Sequence, residues 1–201
     1  MSLILNVAAL IVSLRDFTMV DLSLYLLDIV QNSIKAKASC IEVHLLIDSI
    51  KDQITMRVKD NGCGMSEEQL LQVRNPFYTT RTTRKVGLGI PFLQLACEQA
   101  QGSLVIDSIQ GSGTLLEATF QKSHIDCPPL GDIASSVFSI AIHQDIEEFI
   151  FTIQHQEQHM TFVLSEIVEI VSPLSILEPF VMQYIQQYLK QTIIPIIGGT
   201  S

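Results

Sequence analysis

Three polar residues with helical spacing stand near the start of the chain. Asp28, Asn32 and Lys35 fall on one face of a predicted helix over 21–37, because residues three and four apart are neighbours on a helix. The same helix offers the core an apolar stripe of Leu27, Val30 and Ile34. A carboxylate, an amide oxygen and an ammonium group suit a magnesium-bound triphosphate, which needs a base, a hard oxygen ligand and a counter-charge. The pattern therefore outlines one end of an ATP site.

Three further segments extend this pattern along about half of the chain. They are 60–65 (DNGCGM), 75–90 (NPFYTTRTTRKVGLGI) and 111–114 (GSGT). With the first helix, they resemble the boxes of the histidine-kinase-like ATPases, the superfamily of DNA gyrase, heat-shock chaperones, MutL-type repair proteins and sensor histidine kinases. Each glycine pattern alone arises often by chance, whereas four boxes in the family's order are a specific signal. The resemblance covers roughly 21–121.

The resemblance implies an adenine pocket around the DNGCG turn. Asp60 would accept a hydrogen bond from the adenine amino group, and Gly62 and Gly64 would let the backbone pass close to the ring. Thr114 would help to bind adenine through a water molecule. A carboxylate that only accepts hydrogen bonds distinguishes adenine from guanine, which has no amino group at that position. For this segment alone, an ordinary Asp-Asn-Gly hairpin turn is the alternative.

The resemblance also implies a phosphate end of the site. Asn32 would ligate Mg²⁺ through its side-chain oxygen. Asp28 would be the catalytic base, standing where gyrase and MutL-type members carry a glutamate that is longer by about one methylene. Lys35 would contact a phosphate, and a solvated helix charge is the alternative explanation of that lysine.

The segment 75–90 resembles the lid and second glycine box of sensor kinases. The box residues Gly87, Leu88 and Gly89 would turn free backbone amides at a helix start towards the phosphates. Lys85 stands where histidine kinases usually have an earlier glycine, so it would set a cation against the triphosphate or stiffen the loop. The lid itself would comprise the hydrophobic hinge Phe77 together with Thr79, Thr80, Arg81, Thr83 and Arg84. A MutL protein would need a different lid and a second domain.

The order of predicted elements indicates an α/β (α+β) sandwich, with one mixed sheet and helices on one face. This is the Bergerat-type ATP-binding fold of the superfamily. The predicted elements are the first helix, strands 41–47 and 54–59, a short helix from Ser66 to Val73, a helix from Pro91 to Ala100, and strands 104–109 and 115–120. Residues 19–121 would form this domain, with 1–18 as a dispensable upstream extension or, alternatively, an added strand.

The stretch 127–132 (CPPLGD) predicts that 122–201 form a small α+β appendage with a packing or partner role. We expect a helix over 133–143, strands over 149–154 and 161–167, and a last helix over 174–190. That helix carries an apolar stripe of Ile176, Phe180, Val181, Tyr184, Ile185, Tyr188 and Leu189. Core packing is the preferred explanation of the stripe, and a dimer or partner face is the alternative.

Composition excludes several classes of protein. The formal net charge of −9 argues against nucleic acid as the main partner, because phosphate backbones demand a basic surface. Residues 122–201 contain two basic and nine acidic residues. The four cysteines form no C-x-x-C pair, which suits reduced thiols in a cytosolic protein. No apolar run reaches the eighteen or so residues of a membrane span.

Two histidine patterns have alternative explanations. The segment 123–130 (SHIDCPPL) weakly resembles the phosphoacceptor box of sensor kinases, but a histidine at a strand end explains His124 more simply. His155 and His159 have the spacing of a helical metal pair, yet the surrounding QHQEQH sequence favours a solvated hairpin link.

These features predict a cytoplasmic Mg-ATP-binding protein similar to the catalytic domains of sensor histidine kinases and to small stand-alone members of the superfamily. It would act in signal transduction as a protein kinase or slow ATPase, passing the γ phosphate to a protein residue. The alternatives are an ATP-gated binding module that contacts a partner protein through 122–201, and a conformational ATPase of the MutL or gyrase kind. A homodimer is a further option.

Overall fold

The computed structural model describes residues 21–73 and 89–198, which form six helices and six strands. In chain order these elements are α1 (Leu22–Lys35), β1 (Cys40–Asp48), β2 (Gln53–Asp60), α2 (Glu67–Gln72), α3 (Gly89–Gln99), β3 (Ser103–Ile109), β4 (Gly113–Gln121), α4 (Ile133–Ala141), β5 (Glu148–His155), β6 (Gln158–Val163), α5 (Leu164–Val171) and α6 (Pro179–Ile196).

The strands form one mixed sheet in the order β3-β4-β2-β1-β5-β6. Neighbouring strands are antiparallel except for β1 and β5, which run parallel. Residues 148–163 therefore extend the sheet that the first four strands begin. The predicted segment 122–201 shares this sheet with the preceding part, and its standing as a separate unit stays a prediction.

One face of the sheet is buried and the other is open. Along β1, Ile41, Val43, Leu45 and Ile47 are buried while His44 between them is exposed, which is the alternation of a strand covered on one side. The helices α1, α3 and α6 pack on the sheet, and α4 packs against α1 and α6. The predicted sandwich, with one mixed sheet and helices on one face, is confirmed.

Helix α1 positions the predicted polar residues. It begins after Asp21, whose carboxylate accepts a hydrogen bond from the Leu24 amide at 2.9 Å. The apolar face differs from the predicted one, because Leu27 and Ile34 are only half-buried. The residues that this helix buries are Leu22, Ser23, Tyr25, Leu26, Ile29, Val30 and Ser33. The contact face is thus rotated towards Ser33, which brings a hydroxyl into the interior.

The elements after β5 depart from the prediction. The strand expected over 161–167 ends at Val163, because Leu164 starts α5. The last helix runs from Pro179 to Ile196 instead of 174–190. The residues of its predicted apolar stripe are only partly buried. Val181, Ile185 and Leu189 are buried, whereas Phe180, Tyr184 and Tyr188 are exposed and Ile176 is half-buried.

None of the helices within 21–73 and 89–198 has both the length and the apolar composition that a bilayer crossing requires.

Candidate functional site

The candidate site lies at the end of the sheet where β2 finishes and β4 starts. Asp60, the last residue of β2, is paired directly with Thr114 near the start of β4. On its other side, Asp60 is paired with Ile41 at the start of β1. The strand register therefore places the DNGCG turn beside the GSGT hairpin, as an adenine pocket built from both segments requires.

Two hydrogen bonds hold the Asp60 carboxylate. The hydroxyl of Ser33 on α1 donates to Oδ2 at 2.7 Å, and the backbone amide of Gly62 donates to Oδ1 at 2.9 Å. Ser33 is only 3% exposed. Since each carboxylate oxygen has a partner from a different element, the orientation of the carboxylate is fixed before any ligand arrives. Ser33 was not among the predicted site residues, although it stands next to Asn32 in the same helix.

Three glycines of the two turns leave no room for a side chain, because other parts of the chain lie against them. A Cβ on Gly64, where φ is +59°, would lie 2.1 Å from the Ile109 carbonyl oxygen, and one on Gly113, where φ is +106°, would lie 1.9 Å from the Asp60 carbonyl oxygen. A Cβ on Gly62 would approach the Ala36 carbonyl oxygen to 2.8 Å. Gly62 and Gly64 thus let backbone pack against backbone, and their role against the adenine ring stays a prediction.

Ser108 on β3 connects the two turns. Its hydroxyl oxygen lies 3.0 Å from the Gly113 carbonyl oxygen, 2.9 Å from the Met65 amide and 2.9 Å from the Thr114 hydroxyl. A hydroxyl donates one hydrogen, and the carbonyl of Gly113 can only accept one. Ser108 therefore donates to Gly113 and accepts from the Thr114 hydroxyl. This leaves the Thr114 oxygen as an acceptor for other groups. Ser108 is a second residue that the sequence analysis missed.

Asn61 fixes the turn to the link between α1 and β1. Its side-chain oxygen accepts hydrogen bonds from the amides of Ser39 and Cys40, both at 2.9 Å. Two backbone bonds of 2.8 Å complete the connection, one from the Cys63 amide to the Ala36 carbonyl and one from the Gly111 amide to the Cys63 carbonyl. The turn after β2 is thus bonded to the end of α1 on one side and to the β3–β4 hairpin on the other.

The predicted phosphate end brings α1 against the start of α3. Gly89 is the first residue of α3, and a Cβ built there would lie 3.3 Å from the Asp28 Cβ and 3.4 Å from its Oδ2. Asn32, half-buried, lies one helical turn beyond Asp28, and the exposed Lys35 ends α1. The predicted base therefore lies next to Gly89, the residue of the predicted glycine box that the structure describes.

The surroundings of Asp28 make its carboxylate more basic. Asp28 is exposed as a residue, yet partial burial of its carboxylate raises the pKa of that group. The nearby Lys35 ammonium lowers the same pKa by a smaller amount. Beneath it, burial raises the pKa of Tyr25 to about 12, with smaller contributions from Cys97 and Asp28. A carboxylate with a raised pKa accepts a proton more readily near neutral pH.

Six predicted contacts lie outside the residues that the structure describes, and their roles stay predictions. They are Phe77, Thr80, Arg84, Lys85, Gly87 and Leu88. The same holds for the lid residues Thr79, Arg81 and Thr83.

Protein ligands for a metal ion are few in the described part of the chain. Residues 21–73 and 89–198 contain no group of three His, Cys, Asp or Glu side chains placed to bind a metal. Mg²⁺ in phosphate sites usually has one or two protein ligands and takes the rest from phosphates and water. A single amide oxygen from Asn32 fits that donor set.

The histidines lie away from this site. The turn between β5 and β6 joins His155 to Gln158, as the hairpin prediction stated. His155 Nδ1 lies 2.8 Å from the Ile196 carbonyl oxygen, and its Nε2 lies 3.0 Å from the Ser49 hydroxyl. His124 follows the far end of β4. Gln121 follows Thr114 by seven positions along the strand, or about 23 Å at 3.3 Å per residue.

Comparison with known proteins places these features in a family. The profile of the family described as histidine kinase-, DNA gyrase B- and HSP90-like ATPase matches residues 19–124, just over half of the chain. Sporulation kinase E of Bacillus subtilis (strain 168) is 31% identical over 94 residues, which are 46% of this chain and 13% of the kinase. Sensor histidine kinase CpxA of Escherichia coli (strain K12) is 37% identical over 80 residues, which are 37% of this chain and 17% of the kinase.

The chain therefore spans less than a fifth of the length of these two kinases. Among solved structures, one described as the N terminal domain of a DNA repair protein has a TM-score of 0.49 and 14% identity, and the match covers 72% of this chain and 52% of that one. The profile match and the curated kinases support an ATP-binding domain of the kinase-like ATPase type. The chain belongs to the histidine kinase-, DNA gyrase B- and HSP90-like ATPase family.

Proposed function

We propose that the chain binds Mg-ATP along α1 and passes the γ phosphate to a residue of another protein in a cytoplasmic signalling pathway. Adenine would lie against Asp60 and Thr114, and the phosphates would lie between Asn32, Lys35 and the start of α3. Phe77, Thr80 and Arg84 would belong to the lid, Lys85 would set a cation against the triphosphate, and Gly87 and Leu88 would turn backbone amides towards the phosphates.

The observation that carries this proposal is the fixed Asp60 carboxylate. Ser33 and Gly62 each donate to one of its oxygens, so its free lone pairs point in set directions and can accept from an amino group. Asp28 and Ser33 are five residues apart on α1, or about 7–8 Å along the helix axis. Helix α1 therefore carries the proposed base, Asp28, and also the hydroxyl of Ser33 that orients the proposed adenine acceptor, Asp60.

The geometry disfavours phosphate transfer to His124 within one molecule. His124 follows β4 at the end of the sheet opposite Asp60 and Thr114. Its Nδ1 accepts a hydrogen bond from the Asp126 amide at 3.2 Å, which suits a histidine held in a turn. The acceptor would then be supplied by a partner, with Asp28 or the acceptor's own base taking the proton.

A binding module that uses ATP only to gate a protein contact is the second candidate. The acidic segment 122–201 favours it, because two of its strands belong to the same sheet as the strands of the proposed adenine site. A conformational ATPase of the MutL or gyrase kind is disfavoured by the kinase-like lid sequence over 75–90.

Incubation of the purified chain with γ-labelled ATP and magnesium separates these candidates. Free phosphate and protein-bound label are followed together, with calorimetry on the same samples to measure ATP binding. Phosphate release that disappears in Asp28→Asn supports a catalytic base at that position. Acid-labile label that is lost in His124→Ala would refute transfer to a partner as the route. Tight binding without release or label would leave the gating module.

A further inference from the structure

A small cleft opens where β1, β2 and β5 meet the segment 127–130 and the end of α6. We refer to this space as the small cleft. Its volume is about 350 Å³, which is within the range of small-molecule sites. Two polar side chains, Lys122 and His155, line it. The rest of the lining is mostly apolar and includes Ile47, Ile54, Leu130 and Ile197. Apolar clefts with a few polar groups are the usual form of ligand sites.

Both polar side chains of the small cleft contact one hydroxyl group. It belongs to Ser49, which is half-buried in the turn after β1. The Lys122 ammonium nitrogen lies 3.0 Å from the Ser49 oxygen, and His155 Nε2 also lies 3.0 Å from it. Because Lys122 and His155 line the cleft, the Ser49 hydroxyl lies at its edge.

A backbone carbonyl sets the direction of the hydrogen bond between Ser49 and His155. His155 Nδ1 lies 2.8 Å from the carbonyl oxygen of Ile196. A carbonyl oxygen can only accept, so Nδ1 carries the ring hydrogen, and Nε2 of the neutral imidazole is an acceptor. Ser49 therefore donates to a base that a third group orients. In the Ser-His-Asp triad, the aspartate has the orienting role that the Ile196 carbonyl has here.

The Lys122 ammonium places positive charge beside the same hydroxyl. An ammonium group can only donate, so the Ser49 oxygen accepts from it. Asp52 lies close to Lys122, but its carboxylate accepts hydrogen bonds from Ser123 and Gln121. Lys122 forms no ion pair with any residue that the structure describes. Its charge is thus available to a negative oxygen that forms next to Ser49.

A nucleophile within hydrogen-bond reach of an oriented base is the arrangement that covalent catalysis uses. We propose that Ser49 and His155 hydrolyse carboxylic esters with a short acyl chain, which the small cleft binds against its apolar lining. Lys122 stabilises the oxyanion of the tetrahedral intermediate. This activity does not depend on the proposed ATP chemistry.

The reaction has two steps. In the first, the Ser49 oxygen bonds to the acyl carbon while its proton passes to His155 Nε2. The ester C–O bond then breaks, and the leaving alkoxide takes that proton as an alcohol. In the second step, water attacks the acyl carbon and gives its proton to His155. The bond to Ser49 breaks, Ser49 takes the proton back, and the carboxylic acid is released.

The small cleft is separate from the proposed nucleotide site. His155 is paired with Ile47 near the end of β1, whereas Asp60 is paired with Ile41 near its start. Six positions along the strand separate the two, or about 20 Å at 3.3 Å per residue. Substitutions at Ser49, Lys122 or His155 should therefore leave ATP binding unchanged, so failure of either proposed site would be seen separately by calorimetry.

The test uses the full chain with two probes. Hydrolysis of p-nitrophenyl butyrate is followed by release of nitrophenolate, and a fluorophosphonate that phosphonylates activated serines is located by peptide mass spectrometry. We expect saturable hydrolysis and label on Ser49. Ser49→Ala and His155→Gln should each lower kcat by about 100-fold or more. Lys122→Met should lower it by about tenfold or more.

Matched controls and folding measurements make the test decisive. Ser139→Ala and His159→Gln change exposed residues outside the small cleft and should leave the rate unchanged. Circular dichroism confirms folding, and Ser49→Ala with the label position decides the question if His155→Gln unfolds. Label on another residue, an unchanged rate in Ser49→Ala, or an equal loss in the controls would overturn the inference. So would a folded chain without hydrolysis or label, since Ser49 and His155 would then only tie the end of α6 to the turn after β1.

Discussion

Removal of one buried hydroxyl should weaken ATP binding while the fold is kept. In Ser33→Ala, Asp60 loses the donor to its Oδ2 and keeps the Gly62 amide on Oδ1. The carboxylate can then rotate about its remaining bond. We therefore expect a lower affinity for ATP, because part of the binding free energy must be used to restore the orientation that Ser33 now provides.

The size of the effect follows from the bond and its surroundings. A hydrogen bond to a charged group contributes about 1.5–3 kcal/mol. Asp60 is half-buried, so water can replace part of the loss, and we expect a cost of about 1–2 kcal/mol. At about 1.4 kcal/mol for each factor of ten, the dissociation constant should rise about 5- to 30-fold.

Calorimetry with ATP and magnesium measures this change directly. The matched control is Ser136→Ala on α4, since Ser136 is also buried, at 5% exposed, and donates to the Ser23 carbonyl oxygen at 3.3 Å. That control should bind ATP as the unmodified chain does. An unchanged affinity in Ser33→Ala, or an equal loss in Ser136→Ala, would contradict the role assigned to the Asp60 carboxylate.

Three further outcomes follow from the same structure. Asp60→Asn should fold with normal stability, because its oxygen can accept from Gly62 and its amino group can donate to Ser33, yet ATP binding should fall by more than about 100-fold since a donor then faces the adenine amino group. Burial raises the pKa of Asp28, so ionisation of this carboxyl opposes folding once the pH exceeds about 4. Asp28→Asn should therefore raise the melting temperature at neutral pH and leave it unchanged in acid. Hydrogen bonds from Ser123 and Gln121 lower the pKa of Asp52, so the ionised carboxylate stabilises the fold above about pH 4 and this stabilisation is lost as the pH falls further. In urea unfolding, Asp52→Asn should have a lower free energy of unfolding than the unmodified chain at neutral pH, and the difference should shrink in acid.

The elements of residues 21–121 that the structure describes were largely predictable because each has a local signal. Strands β1 and β2 alternate apolar and polar residues, and the turn between them is polar. Ser66 begins α2 with a capping box. By contrast, β6 passes directly into α5 at Val163, which provides no side-chain cap. The boundary has neither glycine nor proline, so the prediction continued the strand. The helical spacing of Leu164, Ile167, Val168 and Val171 was the overlooked signal.

The start of the last helix had a local signal that the prediction did not use. Pro179 lies at the first position of α6, where proline is favoured because it needs no amide partner there. The predicted helix over 174–190 placed this proline inside, where it would have removed a hydrogen bond. Pro179 therefore marks the observed start of the helix.

In the candidate site, too, features with a local sequence signal could be predicted, and features that depend on distant residues could not. The DNGCG turn was recognisable within a few residues, whereas the role of Ser33 depends on a partner 27 residues away. A serine inside a helix commonly bonds the carbonyl four residues before it, and the Ser33 hydroxyl does lie 3.4 Å from the Ile29 carbonyl oxygen. Its single hydrogen favours the shorter contact, of 2.7 Å, to the charged oxygen of Asp60. Ser33 can bond Asp60 only because the pairing of β2 with β1 and β4 brings Asp60 to the buried side of α1. The sequence of α1 does not specify this strand order, so the partner of Ser33 could not be predicted from the helix alone.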